Sequence, residues 1–438
     1  MSAVTSAGLY WAPRAWLAGG WADAVLLRVG GDGHWAEITA GVATPPQAQV
    51  LAGPVLPGLV NAHSHAFQRA FAGRAERRDR AHDDFWSWRE RMYALALGIT
   101  PELLRSIATA LYRELLAGGY THVCEFHYLH HAEDGARYAD ALAMSRALAD
   151  AAATAGIGLT LLPVLYERAG FAQPALRREQ RRFAAGVADV LAMRDGIRAW
   201  NAPLVDAGVA IHSLRAASPA SMRALVDALG HGRGPIHIHV AEQSAEVDDC
   251  LAATGARPIE WLAREFALDA RWQLVHATHA TADEIAAVAA GGAGVVLCPS
   301  TEANLGDGVP DLPRWLAAGV PLSIGSDSQV CRSAAQELRW LEYAQRLVRA
   351  RRNVAADPAH FDGSTGARLF EACLAGGAAA AGFARWGFVA GARADLLVLD
   401  TAAPGLAGAA LQDTLDTWIF ATDTIALAQT WVAGRRVR

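Results

Sequence analysis

The sequence contains no lysine; all 39 of its Lys+Arg residues are arginine. This absence removes several kinds of chemistry. Without a side-chain primary amine there is no Schiff base, no pyridoxal-phosphate linkage, no P-loop lysine and no carbamylated lysine bridging two metals. Cysteine is scarce as well. Cys124, Cys250, Cys298, Cys331 and Cys373 are scattered, odd in number and never in C-x-x-C spacing. That points to free thiols in a reducing cytoplasm, not to a disulfide frame or a cysteine zinc site. Positive charge is not in surplus either. The formal net charge is −5, and basic residues cluster only in short pieces such as "RREQRR", so nothing suggests a nucleic-acid partner. No apolar run reaches the roughly 18 residues needed to cross a bilayer. The start, "MSAVTSAGLYWAPRAW", lacks the basic region and long apolar core of a secretory signal.

What is present is a globular composition, 53% hydrophobic and 19% charged over 438 residues. That suffices for one large domain with a smaller companion, or for two or three ordinary ones. Residues 1–56 read as short alternating segments with Gly and Pro turns, as in "DAVLLRVGGDGHWAEITAG", which predicts a small β-structure. From 57 to 380 the pattern changes. Eight apolar runs recur: "PGLVNAHSH", "THVCEFHYLHH", "IGLTLLPVLY", "VAIHSLR", "PIHIHVAEQ", "WQLVHATH", "GVVLCPS" and "PLSIGSDS". Between most of them lie stretches such as "PELLRSIATALYRELLAGG", with apolar residues at 3- and 4-residue spacing and glycine after the C-terminus.

Near-continuous apolar strands alternating with helices predict an α/β fold, a (β/α)₈ barrel, with an open doubly wound sheet as the alternative. The runs end in His65, His127, Tyr166, Arg215, Glu242, His276, Ser300 and Asp327, which a barrel would gather at its C-terminal mouth. Residues 381–438, with "GFVAGARADLLVLD" and "TIALAQTWVAGRRVR", again read as strands and turns, and join 1–56 in one small β-domain. The segment from 68 to 98 is too long for a tight βα loop. Its Phe85, Trp86 and Trp88 are expected to form loop core.

Side chains at i and i+2 of a strand share a face. His63 and His65 at the end of the first run can therefore reach one metal ion. On the fifth run His237 and His239 also share a face, but His239 lies about 6–7 Å nearer the mouth at roughly 3.3 Å per residue. His276 on the sixth run and Asp327 on the eighth complete the candidates. Neutral imidazoles with a carboxylate and an open position suit Zn²⁺, and Fe²⁺ or Mn²⁺ would accept the same set. Glu242, three residues beyond His239, would sit beside an activated water and relay its proton to a departing amine.

"NAHSH", "HIHVAE", "LVHATH", "GSDS" and "GARADLLVLD" together resemble the amidohydrolase superfamily over nearly the whole chain. More narrowly, "NAHSHAFQRAFAG", "DDFWSWRERMY", "EFHYLHH", "HSLRA", "LCPSTEANLGDG" and "IGSDSQV" are similar to its N-formimino-L-glutamate deiminases of histidine degradation. The resemblance implies one metal per subunit held by His63, His65, His239 and Asp327. It implies Glu242 as proton shuttle, with His276 and Asp327 helping to position or deprotonate the water. It also implies a cytoplasmic homodimer. A dicarboxylate amidine substrate calls for arginines near the mouth. Arg215 and Arg89 are the candidates, with Arg91 a rival to Arg89, and Gln68, Tyr128 and His212 would add hydrogen bonds. The alternatives are a purine, pyrimidine or other aromatic-base aminohydrolase on the same machinery, and a non-catalytic scaffold.

Overall fold

The apolar runs close on one another in a computed structural model that describes residues 8–78, 83–423 and 425–438. Residues 1–7 of the quoted start, residues 79–82 of the long first connection and residue 424 lie outside the described residues. The chain opens with β1 (Gly8–Leu17), β2 (Gly20–Val29), β3 (Trp35–Thr39), β4 (Gln49–Val50) and β5 (Val55–Pro57). The barrel strands follow: β6 (Leu59–Ser64), β7 (Tyr120–His127), β8 (Gly158–Leu165), then, after a short β9 (Val205–Ala207) beside β8, β10 (Val209–Ile211), β11 (Ile236–Val240), β12 (Trp272–His276), β13 (Gly294–Leu297) and β14 (Leu322–Ile324). At the C-terminal end, β15 (Leu396–Leu399), β16 (Leu427–Val432) and β17 (Arg435–Arg436) pair with the opening strands in the order β17-β16-β15-β5-β1-β2-β3.

Strands β6, β7, β8, β10, β11, β12, β13 and β14 are neighbours in that order, and all pair in parallel. Every residue of β6, β7, β8 and β11 is buried, which is why these runs are apolar throughout and not alternating. The two ends of the sheet meet just past β14. Asp327 N–H donates to the His63 carbonyl at 3.0 Å, and His65 N–H donates to the Asp327 carbonyl at 3.2 Å. An open sheet is thereby excluded. The closing hydrogen bonds fall on residues that also carry the candidate site.

Close packing behind this seam depends on glycine. The helix Thr365–Ala381 lies against β6 and β14, and a Cβ on Gly376 would stand 2.0 Å from the Leu322 carbonyl oxygen. All five cysteines are free and buried. No single helix among the described residues is long and apolar enough to cross a membrane.

The connection from 68 to 98 is not an irregular loop. It contains the helix Phe85–Leu97, capped by Asp84, whose side chain accepts from the Trp86 and Ser87 N–H groups at 3.0 Å. At the other end the buried Arg182 guanidinium donates to the carbonyls of Ala96, Leu97 and Ile99, satisfying acceptors that a helix C-terminus leaves open. A charged side chain from residues 178–183 thus clamps this helix against the barrel mouth.

Candidate active site at the barrel mouth

Four donor side chains from two strand tips and the β14 seam gather around His63 Nε2. His63 Nε2 lies 3.1 Å from His65 Nε2 and 3.0 Å from His239 Nε2. Asp327 Oδ1 is 3.4 Å from both His63 Nε2 and His65 Nε2. A tetrahedral ion with metal–nitrogen bonds of 2.0–2.1 Å sets its ligands about 3.3–3.4 Å apart; the His63, His65 and Asp327 atoms have close to that spacing, and His239 joins them through His63, in a second group with His276. The protonation states agree. Burial pushes His63 down to about 3 and lowers His65 and His239 as well, leaving neutral imidazoles, while the imidazoles of His63, His65 and His276 hold Asp327 ionised against its burial. His65 spends its Nδ1–H on the Phe126 carbonyl at 3.0 Å, which leaves the Nε2 lone pair facing the other donors.

The backbone at the tips is bent to allow this. Ala241, His276, Ala277, Asp327 and Gln329 all have φ between 44° and 69°, the left-handed region that costs a non-glycine residue on the order of 1–3 kcal/mol. Hydrogen bonds hold it there. Gln329 Nε2 donates to the Asp327 carbonyl at 2.7 Å and to Ser64 Oγ at 3.0 Å. Asn61 bonds Ser326 through both its side-chain oxygen and nitrogen. Buried Glu125 accepts from Ser64 Oγ at 2.8 Å and from the Ala66 N–H, and burial raises its pKa to about 8. Gly325 is required here, because a Cβ on it would fall 2.6 Å from His63 Cβ.

Beside the donors sit Glu242 and His276. Glu242 Oε1 is 3.7 Å from His276 Nε2, and Asp327 Oδ2 is 3.9 Å from the same nitrogen. Burial raises Glu242 to about 7, with His276 opposing and Asp327 adding to the shift. A carboxyl group poised there can both take and give a proton near neutrality. His276 is held above its ordinary value: burial works against its charge, but Glu242, Cys298 and Glu302 outweigh it. The Glu302 contact escaped the sequence reading. Its Oε1 lies 3.3 Å from His276 Nδ1 and accepts the Cys298 N–H at 2.8 Å. Nothing along "LCPSTEANLGDG" sets this acid apart; only its enclosure in the fold does. Glu302→Gln is expected to lower kcat about tenfold with KM little changed, by letting the His276 ring turn. Equal kcat in variant and wild type would remove Glu302 from this positioning role.

The other predicted residues are distributed unevenly. His237 is not in the donor cluster; its Nε2–H donates to the Ala380 carbonyl at 2.8 Å, one layer deeper. Two of the strand-end residues do not converge. His127 packs on His130 at 5.0 Å between ring centroids, because its neighbour Phe126 takes the inward face and stacks on His239 at 4.2 Å. Ser300 spends its N–H and hydroxyl on Glu337. Gln68 Nε2 donates to Tyr128 OH at 3.1 Å, and the Tyr128 ring stands against His65 and His212. His212 in turn stands against His239 at 5.1 Å.

Arg89 and Arg215 converge on one ring. Their guanidinium carbons lie 4.4 and 5.3 Å from the centroid of Trp86. Trp86 packs edge-on against Phe85 at 5.1 Å, and Phe85 stacks on Trp88, as the expected aromatic cluster; in addition Trp86 receives both guanidiniums. Arg89 is buried, and burial lowers its pKa, Tyr93 opposing and the Arg215 charge adding to the shift. Neither Arg89 nor Arg215 forms an ion pair with a carboxylate among the described residues, and Arg89 Nε has no hydrogen-bond partner. Arg91, by contrast, pairs with Asp83 at 3.2 Å. Glu246 and Glu242 lie within the field of Arg215 but not in contact with it, so two cations that share an aromatic face and have no close carboxylate are a place for an anionic ligand.

The pattern that defines the Amidohydrolase family matches residues 55–437. The formimidoylglutamate deiminase of Pseudomonas aeruginosa is 48% identical over 431 residues, 97% of this chain and 93% of that protein. The crystal structure of an amidohydrolase from Brucella melitensis superposes with a TM-score of 0.93 at 43% identity, over 98% of this chain and 94% of that one. An adenosine deaminase from Xanthomonas campestris with bound zinc shares the fold, with a TM-score of 0.78 at 24% identity over 98% of this chain and 92% of that one.

Proposed function

We propose, from the premise that this chain belongs to the amidohydrolase family, that it hydrolyses N-formimino-L-glutamate to N-formyl-L-glutamate and ammonia. The observation that carries the substrate is the Arg89–Trp86–Arg215 arrangement, two unpaired guanidiniums beside a proton-relay and metal-donor cluster. A dicarboxylate supplies the contacting carboxylates that neither guanidinium has. In this reading the barrel of 57–380 carries the chemistry, and 1–56 with 381–438 form the small β-domain. The protein works in the cytoplasm as a homodimer.

His63, His65, His239 and Asp327 would hold one divalent ion per subunit, zinc in our reading, with iron(II) or manganese suited to the same donors. Such an ion, when bound, is a Lewis acid that brings the pKa of water from about 15.7 towards 7. The rest is done by side chains. Glu242 takes a proton from the attacking water, and His276, steadied by Glu302, positions that water between Glu242 and Asp327. A C–O bond forms at the formimino carbon. As it forms, the C=N double bond opens onto the terminal nitrogen, and Glu242 returns its proton there. The new hydroxyl gives its proton to the Asp327–His276 side of the site, a C=O double bond forms, the C–N bond breaks, and ammonia leaves and takes up that proton. Gln68, Tyr128 and His212 stand beside the donor histidines and would add hydrogen bonds to the amino acid.

An aromatic-base aminohydrolase would use the same donors but has no need of two unpaired arginines. The experiment is ammonia release from N-formimino-L-glutamate by metal-loaded protein, with guanine, cytosine and adenosine beside it. Turnover of the amino acid alone is expected; release from the bases alone would overturn the reading. Arg89→Met and Arg215→Met should each raise KM for the amino acid about 10- to 100-fold, the effect of deleting a hydrogen bond to a charged group. Unchanged KM in both would remove the arginines from the substrate site.

A further inference from the structure

Beyond the arginines lies a group of buried polar side chains that the hydrolytic steps do not use. Tyr93 and Tyr166 are buried, with hydroxyl oxygens 3.2 Å apart. Gln180, fully enclosed, accepts the Arg177 N–H through Oε1 at 3.0 Å. That bond fixes which way its amide points. Nε2 therefore faces the phenols, donating to Tyr166 OH at 2.8 Å and to Tyr93 OH at 3.4 Å. Each phenol carries one hydrogen. One hydroxyl donates to the other, and the second O–H has no acceptor among the described residues. A buried donor without an acceptor calls for a partner.

The position of this spare donor identifies its ligand. Two tracks of rings lead outward from the metal-donor cluster and meet at Tyr166. One runs from His239 to His212 at 5.1 Å and on to Tyr166 at 4.4 Å. The other runs from His65 to Tyr128 at 5.0 Å and on to Tyr166 at 6.4 Å. Tyr93 stands beside the Arg89 guanidinium, whose carbon is 5.5 Å from its ring centroid. The pair thus lies two ring contacts from the metal-donor cluster, beside the Arg89 guanidinium. A substrate bound by its formimino group at the cluster presents its side-chain terminus there.

The geometry points to the Tyr93–Tyr166 hydroxyl pair, set by Gln180, as a specificity-determining donor for the side-chain carboxylate of the substrate, acting beside Arg89 and Arg215. This rests on the substrate reading given above and adds the residues that separate a diacid from its side-chain amide.

Tyr93→Phe, Tyr166→Phe and Gln180→Met test it in the full-length, metal-loaded protein. N-formimino-L-glutamate is compared with N-formimino-L-glutamine, in which that carboxylate is an amide. Each phenylalanine variant is expected to raise KM for the diacid about tenfold, with kcat within about twofold and a much smaller change for the amide. Gln180→Met leaves both phenols in place and should move KM in the same direction. Calorimetric binding of N-formyl-L-glutamate should weaken by the same factor. Parallel losses on diacid and amide, a fall in kcat alone, or unchanged KM would overturn the assignment. If one variant does not fold, the remaining two decide. Wild type that turns over the amide as well as the diacid would overturn this inference alone; wild type that turns over neither and releases ammonia only from guanine, cytosine or adenosine would refute the substrate reading, and this inference with it.

Discussion

Replacing Glu242 by glutamine is expected to lower kcat by about 10²–10⁴, the usual reach of a positioned general acid–base group, while metal content stays at the wild-type level. The variant keeps the size and hydrogen-bonding capacity of the side chain and removes only its titration. The carboxyl group is well suited to the role. It is buried, held near 7, and 3.7 Å from His276 Nε2. It is also apart from the His63, His65 and Asp327 donor set, so the loss should fall on proton transfer and not on metal binding. Single-turnover kinetics with elemental analysis on the same sample checks it. A glutamine variant with full metal and wild-type kcat would leave the departing nitrogen without its proton donor and would end the proposed role of Glu242.

Removing the metal with a chelator is expected to reduce turnover at least about a thousandfold, since a Lewis acid supplies several kcal/mol of the stabilisation that hydrolysis needs. One equivalent of zinc per chain should restore it. The donor geometry predicts a second consequence. His63 Nε2 meets His65 Nε2, His239 Nε2 and Asp327 Oδ1 at 3.0–3.4 Å, and without a cation their lone pairs face one another. The metal-free protein should therefore unfold at a lower temperature, and its melting point should rise with metal concentration as for any ligand bound only by the folded state. Undiminished turnover in protein shown by elemental analysis to be metal-free would refute the metal-site reading.

Much of this was legible along the chain because it depends on local periodicity. Continuous apolar runs alternating with 3.6-residue patterns specify buried parallel strands and covering helices. The two-residue period of a strand places His63 and His65 on one face. Depth along a strand, about 3.3 Å per residue, separates His239 from His237, and the structure puts the latter on the Ala380 carbonyl. Local reading failed where a side chain's neighbours come from distant segments. "FWSWRER" looks like a packed aromatic turn, yet Trp86 receives a guanidinium from Arg215, 129 positions away in the numbering, as well as one from Arg89. Glu302 looks like an ordinary helix residue until its contact with His276 is seen. His127 reads as one more polar strand end, but the Phe126 ring has taken the inward face.

By itself, the sequence determined the class of the fold and the outline of the chemistry. Its hydrophobic periods demand parallel strands under helices, its lack of lysine excludes a carbamylated bridge between two metals, and its histidine pairs and strand-end acids supply donors for one. Only the tertiary structure decided which of these groups meet. The Asp327–His63 and His65–Asp327 backbone bonds that close the barrel bring together residues more than 260 positions apart. At that seam Asp327 adopts left-handed backbone that a strand would not adopt alone. Periodicity is a property of neighbours along the chain. The distance between two strand tips is set by how the whole sheet twists and closes.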